Sequence, residues 1–224
     1  MSEASGLPEC IEVGPEDADA SILLLHGLGA DGQDLEGIVP HLKLPAGARW
    51  RFLFPNAPVR PVTINGGMRM RAWYDIDPAA GPDSGSGDIA ASAAATAGLI
   101  AREVERGVAT KRIVVGGFSQ GGVIALETGL AYPERLAGIV ALSTYLHDHA
   151  NVTARLGLAN AELPVFMAHG LMDPMIPVQR AAIAKSTLTD LSYPVTWQEY
   201  PMGHEICMEE LDALSRWLTA QLPD

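Results

Sequence analysis

A serine between two glycines is the residue in this chain whose surroundings indicate chemistry most clearly. The segment Gly117 to Gly121 has the sequence Gly-Phe-Ser-Gln-Gly. The apolar run Arg112 to Val115 before it predicts a buried parallel strand, and Val123 to Glu127 after it has helical spacing. At such a strand-to-helix turn a strained backbone holds the serine above the sheet, and the flanking glycines remove Cβ atoms that would clash. The pattern therefore predicts Ser119 as a nucleophile.

A serine hydroxyl needs a base that takes its proton and a carboxylate that orients the base. In a parallel sheet both partners are expected in loops after later strands, in the chain order serine, acid, histidine. Asp173 follows the apolar run Pro164 to Ala168, and His204 follows the run Val195 to Tyr200. We therefore predict Ser119, Asp173 and His204 as the catalytic residues.

The other histidines after the serine fit this role less well. His169 precedes Asp173 and so breaks the expected order. His147 and His149 flank an aspartate and suggest a metal, but no further ligand accompanies them, so a solvated loop of open role is expected. We expect neither a metal ion nor an organic cofactor.

Attack on a carbonyl also needs two backbone N–H groups that hold the negative oxygen. One is expected from Gln120, the residue after the nucleophile. The other is expected from the glycine-rich segment His26 to Gly29, which follows the apolar strand Ser21 to Leu25. We assign the second donor to the Leu28 N–H and treat His26 as a structural residue.

Strand-like and helix-like segments alternate along the chain, which predicts an α/β fold with a mostly parallel sheet covered by helices on both faces. A short helix is expected within Gly32 to His41, and an alanine-rich helix capped by Asp88 ends near Gly107. The last helix is expected from Glu205 to Gln221, and Thr63 to Ile76 is expected to be irregular.

The composition limits the classes of partner. The 224 residues are 48% hydrophobic and 19% charged, so we expect one globular domain over 1–224, with 1–9 as a flexible segment. The net charge of −12 and the 15 scattered basic residues disfavour a nucleic acid or an anionic membrane surface. Cys10 and Cys207 form no disulfide framework, and no signal peptide or membrane-spanning run is visible, so a cytoplasmic location is expected.

Several motifs together resemble the phospholipase/carboxylesterase family of α/β-hydrolases, which includes bacterial carboxylesterases and acyl-protein thioesterases. The most specific match is Gly116 to Gly122, and the resemblance runs from about Cys10 to the C-terminus. The other matching segments are Leu25 to Gly32, Phe54 to Pro58, Arg71 to Ile76, His169 to Pro177 and Met202 to Ile206.

The resemblance implies a small, nearly lidless hydrolase that cleaves esters or thioesters through an acyl-enzyme. It also implies that Pro61 to Trp73 forms a wall of the acyl groove. Met68, Met70, Trp73 and Tyr145 are therefore the expected substrate-binding residues. The resemblance further allows a homodimer.

These observations favour a serine carboxylesterase that acts on esters of small to medium acyl chains. An acyl-protein thioesterase or lysophospholipase that acts on long acyl chains is the alternative within enzymes. A non-catalytic acyl-binding module is the alternative of another class, and the ordered set of Ser119, Asp173 and His204 argues against it.

Overall fold

The computed structural model describes residues 7–81 and 84–223, so 1–6 of the predicted flexible segment lie outside the described residues. The part of that segment which is described contacts the rest of the chain. Leu7 packs against the hydrophobic core, and the Glu9 carbonyl accepts a hydrogen bond of 2.7 Å from the Asn56 N–H.

A seven-stranded sheet organises the described residues. The nine strands of this part of the chain are β1 (Cys10–Val13), β2 (Ala20–Leu25), β3 (Trp50–Pro55), β4 (Val59–Val62), β5 (Met68–Arg71), β6 (Ile113–Phe118), β7 (Gly138–Leu142), β8 (Val165–Gly170) and β9 (Val195–Tyr200). The order across the sheet is β1-β3-β2-β6-β7-β8-β9. Strand β1 is antiparallel to β3, and the other neighbouring strands are parallel. The predicted α/β fold with a mostly parallel sheet is confirmed.

Helices cover both faces of this sheet. They are α1 (Gly32–Glu36), α2 (Ser86–Glu105), α3 (Gln120–Ala131), α4 (Val178–Asp190) and α5 (Met208–Gln221). Side chains of α2, α3 and α4 form one core cluster with Leu23 and Leu25 of β2, whereas α1 and α5 form a second cluster with Ile22 and Leu24. Because successive strand residues point to opposite faces, one buried run of β2 serves both cores.

A small hairpin, β4 and β5, lies outside the main sheet. Its strands pair antiparallel with Arg60 opposite Met70, so the prediction of an irregular segment is wrong for Met68–Arg71. The alternation Met-Arg-Met-Arg favours a strand, but the Met68 side chain is 64% exposed, whereas Val62 of β4 is buried. The strand pattern of β5 is therefore not accompanied by burial in the core.

Two helices begin at residues other than those predicted. Helix α2 begins at Ser86 after Gly85, whose φ of 75° suits a glycine, so the prediction of Asp88 as the cap is wrong. The Asp88 carboxylate instead accepts from the Asp75 N–H (3.1 Å) and pairs with an arginine of β4. Helix α5 begins at Met208 rather than Glu205, which leaves residues 201–207 as a loop after β9.

Candidate active site

Ser119 lies in a tight turn between β6 and α3, with φ 55° and ψ −120°. The turn brings backbones so close that a Cβ at Gly117 would meet the backbone of Gly121. The Ser119 N–H donates to the Leu142 carbonyl (2.8 Å), and the Thr144 hydroxyl donates to the Ser119 carbonyl (2.7 Å). These contacts stabilise a backbone conformation that a serine rarely adopts.

The structure brings the three predicted residues together in a hydrogen-bonded triad. His204 Nε2 lies 2.9 Å from Ser119 Oγ, and His204 Nδ1 lies 2.6 Å from Asp173 Oδ2. An ionised carboxylate can only accept, so the proton between Asp173 and His204 belongs to Nδ1. His204 Nε2 is then left to accept the proton of the Ser119 hydroxyl.

Asp173 is buried, yet its surroundings favour the ionised form. Its Oδ1 accepts from the Met175 N–H (2.8 Å) and the Ile176 N–H (2.9 Å). Burial on its own raises the pKa of the Asp173 carboxyl, but these bonds and the one from His204 outweigh it and hold the pKa below its ordinary value. The carboxylate therefore remains charged beside His204 at neutral pH.

His169 is fully buried behind this carboxylate and is not a member of the triad. Its Nε2 donates to the Ile176 carbonyl at 2.8 Å and lies 3.4 Å from Asp173 Oδ2. His169 thus packs against the loop that carries Asp173.

The two predicted oxyanion donors lie in the cavity that contains Ser119. Leu28 and Gln120 both line it. Among the described residues, neither the Leu28 N–H nor the Gln120 N–H donates to a backbone acceptor outside the helices and strands. Both groups are thus available to a substrate oxygen.

The Gln120 side chain links the nucleophile turn to the segment after β5. Its Oε1 accepts from the Trp73 N–H (2.7 Å) and its Nε2 donates to the Tyr74 carbonyl (2.8 Å). The Trp73 indole N–H in turn donates to the His26 carbonyl (2.9 Å), directly before the Leu28 loop. We call these bonds the Gln120 clamp. They connect the two elements that carry the predicted oxyanion donors, a connection that the sequence pattern does not reveal.

His26 fixes the same loop from the other side. Its Nε2 accepts from the Ala57 N–H (3.0 Å), so Nδ1 carries the proton and donates to the Gly27 carbonyl (2.7 Å). Burial lowers the pKa of His26, so the ring is neutral. This neutral ring holds the start of the Leu28 loop against the segment after β3.

A cavity of about 730 Å³ opens in front of Ser119 and straddles the carboxyl edge of the sheet. Its apolar walls belong to the two core clusters on opposite faces. We call the lining residues of the first cluster the Tyr145 lobe: Tyr74, Ile76 and Tyr145. We call those of the second cluster the Phe118 lobe: Leu35, Ile38, Phe118 and Ile206. The apolar lining of the Ser119 cavity therefore comes from both core clusters.

The family model described as Phospholipase/Carboxylesterase matches residues 8–222. The chain belongs to this family of α/β-hydrolases. The family resemblance of the sequence motifs is thereby confirmed. Family members are hydrolases of ester or thioester bonds, and this chain is such a hydrolase.

Named relatives and solved structures are similar over nearly the whole chain. Acyl-protein thioesterase 1 of Neurospora crassa is 37% identical, with 91% of this chain and 87% of the relative covered. Acyl-protein thioesterase 1 of Gibberella zeae is 35% identical, with 91% of each covered. The structure of Zea mays acyl-protein thioesterase 2 has 28% identity and a TM-score of 0.84, covering 96% of this chain and 99% of that one. Esterase PE8 has 25% identity and a TM-score of 0.82, covering 96% and 100%.

Four residues of this hydrolase were predicted to line the groove. In the part of the chain that the structure describes, Tyr145 lines the cavity of Ser119 and the other three do not. Met68 is exposed on the hairpin, and the Met70 sulfur accepts from the Asn65 side-chain amide at 3.1 Å. Trp73 is 1% exposed and lies beneath the wall, where it belongs to the Gln120 clamp. Its hydrogen bonds explain its burial better than substrate contact does.

Other residues of the cavity wall carry no sequence signal of their role. Ile64 and Asn65 reach it from the turn between β4 and β5, Met175 from the loop after Asp173, and Arg180 from α4. Their positions depend on how distant segments pack, which no local pattern reports.

The loop that suggested a metal is held by other contacts. Asp148 pairs with Arg155 (3.3 Å) and accepts from the Asn151 amide (3.0 Å), and His147 Nε2 lies 3.2 Å from Ser86 Oγ. Within 7–81 and 84–223 no group of three or more His, Cys, Asp or Glu side chains is placed to hold a metal ion. No helix in that part of the chain is long and apolar enough to cross a membrane.

Proposed function

We propose that this protein is a serine carboxylesterase that hydrolyses esters of small to medium acyl chains through an acyl-enzyme on Ser119. The observation that carries the proposal is the triad geometry at the cavity: 2.9 Å from Ser119 Oγ to His204 Nε2, and 2.6 Å from Nδ1 to Asp173. Nucleophile, base and orienting carboxylate are thus within hydrogen-bond reach before substrate binds.

In the first half-reaction, His204 Nε2 takes the hydroxyl proton as Ser119 Oγ attacks the acyl carbonyl. The ionised Asp173 stabilises the positive charge that develops on His204. The N–H groups of Leu28 and Gln120 bind the negative oxygen of the tetrahedral intermediate. When that intermediate collapses, the alcohol or thiol leaves with the proton from His204.

In the second half-reaction, water attacks the acyl group on Ser119. His204 removes the proton of that water and then returns a proton to Ser119 Oγ as the carboxylic acid leaves. The same oxyanion donors serve both halves, because the negative oxygen forms at the same carbonyl each time.

The position of His204 supports an assignment of the two lobes to the two parts of the substrate. A leaving group must reach His204 Nε2 to receive its proton, and the Phe118 ring lies 4.7 Å from the His204 ring. Ile206 of the Phe118 lobe follows in the same loop. We therefore assign the leaving group to the Phe118 lobe and the acyl chain to the Tyr145 lobe.

Polar groups in the Tyr145 lobe favour a short to medium acyl chain. The hydroxyls of Tyr74 and Tyr145 lie 3.0 Å apart, and the Arg180 guanidinium lies over the Tyr145 ring. A long apolar chain that extended past them would remove water from these groups without replacing its hydrogen bonds. A shorter chain would end before them.

A long-chain thioesterase is the second candidate. The curated relatives at 35–37% identity are named acyl-protein thioesterase 1. Two exposed apolar residues of the cavity wall, Ile64 at 53% and Met175 at 70% exposure, offer a long chain further apolar surface.

An acyl-chain series separates these candidates. Aryl esters from acetate to palmitate and a palmitoylated cysteine peptide would be assayed with wild type and Ser119→Ala. We expect the highest kcat/KM for a small or medium ester, and a loss of turnover in Ser119→Ala. A preference for the palmitoyl thioester of more than about tenfold, equal to about 1.4 kcal/mol of barrier, would favour the second candidate instead. Hydrolysis that persists in Ser119→Ala would contradict both.

A further inference from the structure

Arg180 presents a cation to the wall of the Tyr145 lobe. It lies in the first turn of α4 and lines both the cavity of Ser119 and an adjoining cavity of about 460 Å³. Its guanidinium carbon lies 3.5 Å from the centroid of the Tyr145 ring. The Tyr145 hydroxyl is in turn bonded to the buried Tyr74 at 3.0 Å. Stacking on a ring that is itself held restricts the guanidinium to the boundary of the two cavities.

The N–H groups of the Arg180 guanidinium are available to a ligand. In the part of the chain that the structure describes, no carboxylate pairs with the Arg180 side chain and no protein acceptor takes its N–H groups. Arg155, beyond the second cavity, differs because it pairs with Glu127 (3.0 Å) and Asp148 (3.3 Å). A guanidinium offers five N–H donors in a planar fork that matches a carboxylate.

Charged residues of both signs line the cavity of Ser119 and the cavity that adjoins it. Asp34 and Glu205 both line the cavity of Ser119, and each is the sequence neighbour of a residue of the Phe118 lobe. Arg180 lies at the positive end of α4, whose first turn holds no acidic residue, and Asp77 and Asp148 line the adjoining cavity with it. In a protein of net charge −12, Arg180 is the one lysine or arginine among the described residues that line the cavity of Ser119, and its side chain is exposed.

We propose that Arg180 is a specificity-determining residue that binds a carboxylate at the far end of the acyl chain. The preferred substrates are then monoesters of dicarboxylic acids, with the ester carbonyl at Ser119 and the free carboxylate on the guanidinium. The inference rests on the proposed function, since it uses the same acyl-enzyme and assigns the acyl chain to the Tyr145 lobe. The proposal also includes the adjoining cavity in the substrate site, because the Arg180 guanidinium borders both cavities.

Paired esters of equal carbon number test this role. Monoethyl esters of the dicarboxylic acids from glutarate to suberate would each be compared with the neutral ethyl ester of the same chain length. We expect wild type to prefer the charged ester at one chain length, and Arg180→Gln to reduce that preference at least about tenfold, or about 1.4 kcal/mol. The loss should fall mainly on KM, and Arg180→Lys should restore part of it. The neutral esters, which offer Arg180 no carboxylate, should lose less kcat/KM than the charged esters of the same chain length.

Lys111→Gln is the matched control, because it removes the same charge from an exposed residue near the amino end of β6, at the opposite edge of the sheet. It should leave the preference unchanged. Equal losses of kcat/KM for charged and neutral esters in Arg180→Gln would overturn the proposal. The guanidinium would then only pack on the Tyr145 ring. A wild type that disfavours every charged ester would also overturn it.

A binding measurement separates this inference from the proposed function. Calorimetry on Ser119→Ala would compare a dicarboxylate with a monocarboxylate of the same length, and then repeat both with Arg180→Gln added. We expect tighter binding of the dicarboxylate that is lost in the double variant. Failure of the wild type to hydrolyse neutral esters would contradict the proposed function, whereas equal binding of the two acids would contradict the role of Arg180.

Discussion

The two sides of Ser119 are built differently. Behind the hydroxyl, the residues of the Gln120 clamp are buried and hydrogen-bonded: Gln120 is 3% exposed and Trp73 is 1% exposed. In front of it, wall residues such as Ile64 and Met175 are more than half exposed. Directional bonds fix the first region, whereas the second offers apolar surface that side chains can rearrange.

This difference assigns separate tasks to the two regions. Changes behind Ser119 are expected to alter the rate of the chemical step and the stability of the fold together, because each buried donor that loses its partner costs free energy. Changes in the walls are expected to alter the choice of substrate and leave stability almost unchanged.

The largest expected effect is that of His204→Ala. Removal of the base should lower kcat by about 10⁴-fold or more, while the midpoint of thermal unfolding shifts by only about 2 °C because His204 lies in a partly exposed loop. His41→Ala, at an exposed histidine in the turn after α1, is the matched control and should keep full activity. A kcat loss of less than about tenfold in His204→Ala would remove His204 as the base.

The Gln120 clamp should link rate and stability. Gln120→Ala leaves the Trp73 N–H and the Tyr74 carbonyl without partners, so the free energy of unfolding should fall by about 2–4 kcal/mol. We expect kcat to fall about 10–100-fold as the oxyanion donors lose their alignment. Denaturant unfolding and steady-state kinetics measure the two effects, and Gln179→Ala on the exposed side of α4 is the control. A large loss of stability with unchanged kcat would show that the clamp supports only the fold.

Glu210 tests whether a buried polar group outside the Gln120 clamp is as favourably placed as the groups within it. It is fully buried in the first turn of α5, and burial raises the pKa of its carboxyl from 4.5 to about 8, although the Cys207 N–H lowers it. Between these values the folded protein holds a proton that the unfolded chain has lost, so stability falls as pH rises across this window. Glu210→Gln should therefore raise the unfolding midpoint more at pH about 8 than at about 5. An equal shift at both pH values would contradict the raised pKa.

The smallest effect is expected at the cavity wall. Met175→Ala should change the free energy of unfolding by less than about 0.5 kcal/mol, because the side chain is 70% exposed. Removal of apolar contact should lower kcat/KM a few-fold for longer esters and leave the acetate ester unaffected. Met208→Ala is the control, since Met208 is 51% exposed and lies outside the cavity wall. A stability loss of more than about 1 kcal/mol would remove the distinction between the two regions.

Sequence patterns predicted the region behind Ser119 better than the region in front of it. Apolar runs locate the strands, and strand ends locate the residues now found in the triad, because parallel strands bring their carboxyl ends to one edge. The clamp was not predictable, since its hydrogen bonds join Gln120 to residues 46 and 47 positions away and glutamine has no pattern of its own.

The walls depend on packing between segments that no periodicity describes. Met68 was expected in the groove, yet the β4–β5 hairpin directs it to solvent. Arg180 carried no signal, because its place in the cavity depends on stacking against Tyr145, which comes from the loop after β7. Local sequence therefore predicts the chemistry of this site more fully than its substrate.

Covalent labelling tests the central claim most directly. Wild type, Ser119→Ala and His204→Ala would be treated with a fluorophosphonate, and the labelled peptide would be identified by mass spectrometry. We predict one adduct per chain on the peptide that contains Ser119, much slower labelling in His204→Ala, and none in Ser119→Ala. An adduct on another residue, or equal labelling of Ser119→Ala, would contradict the account.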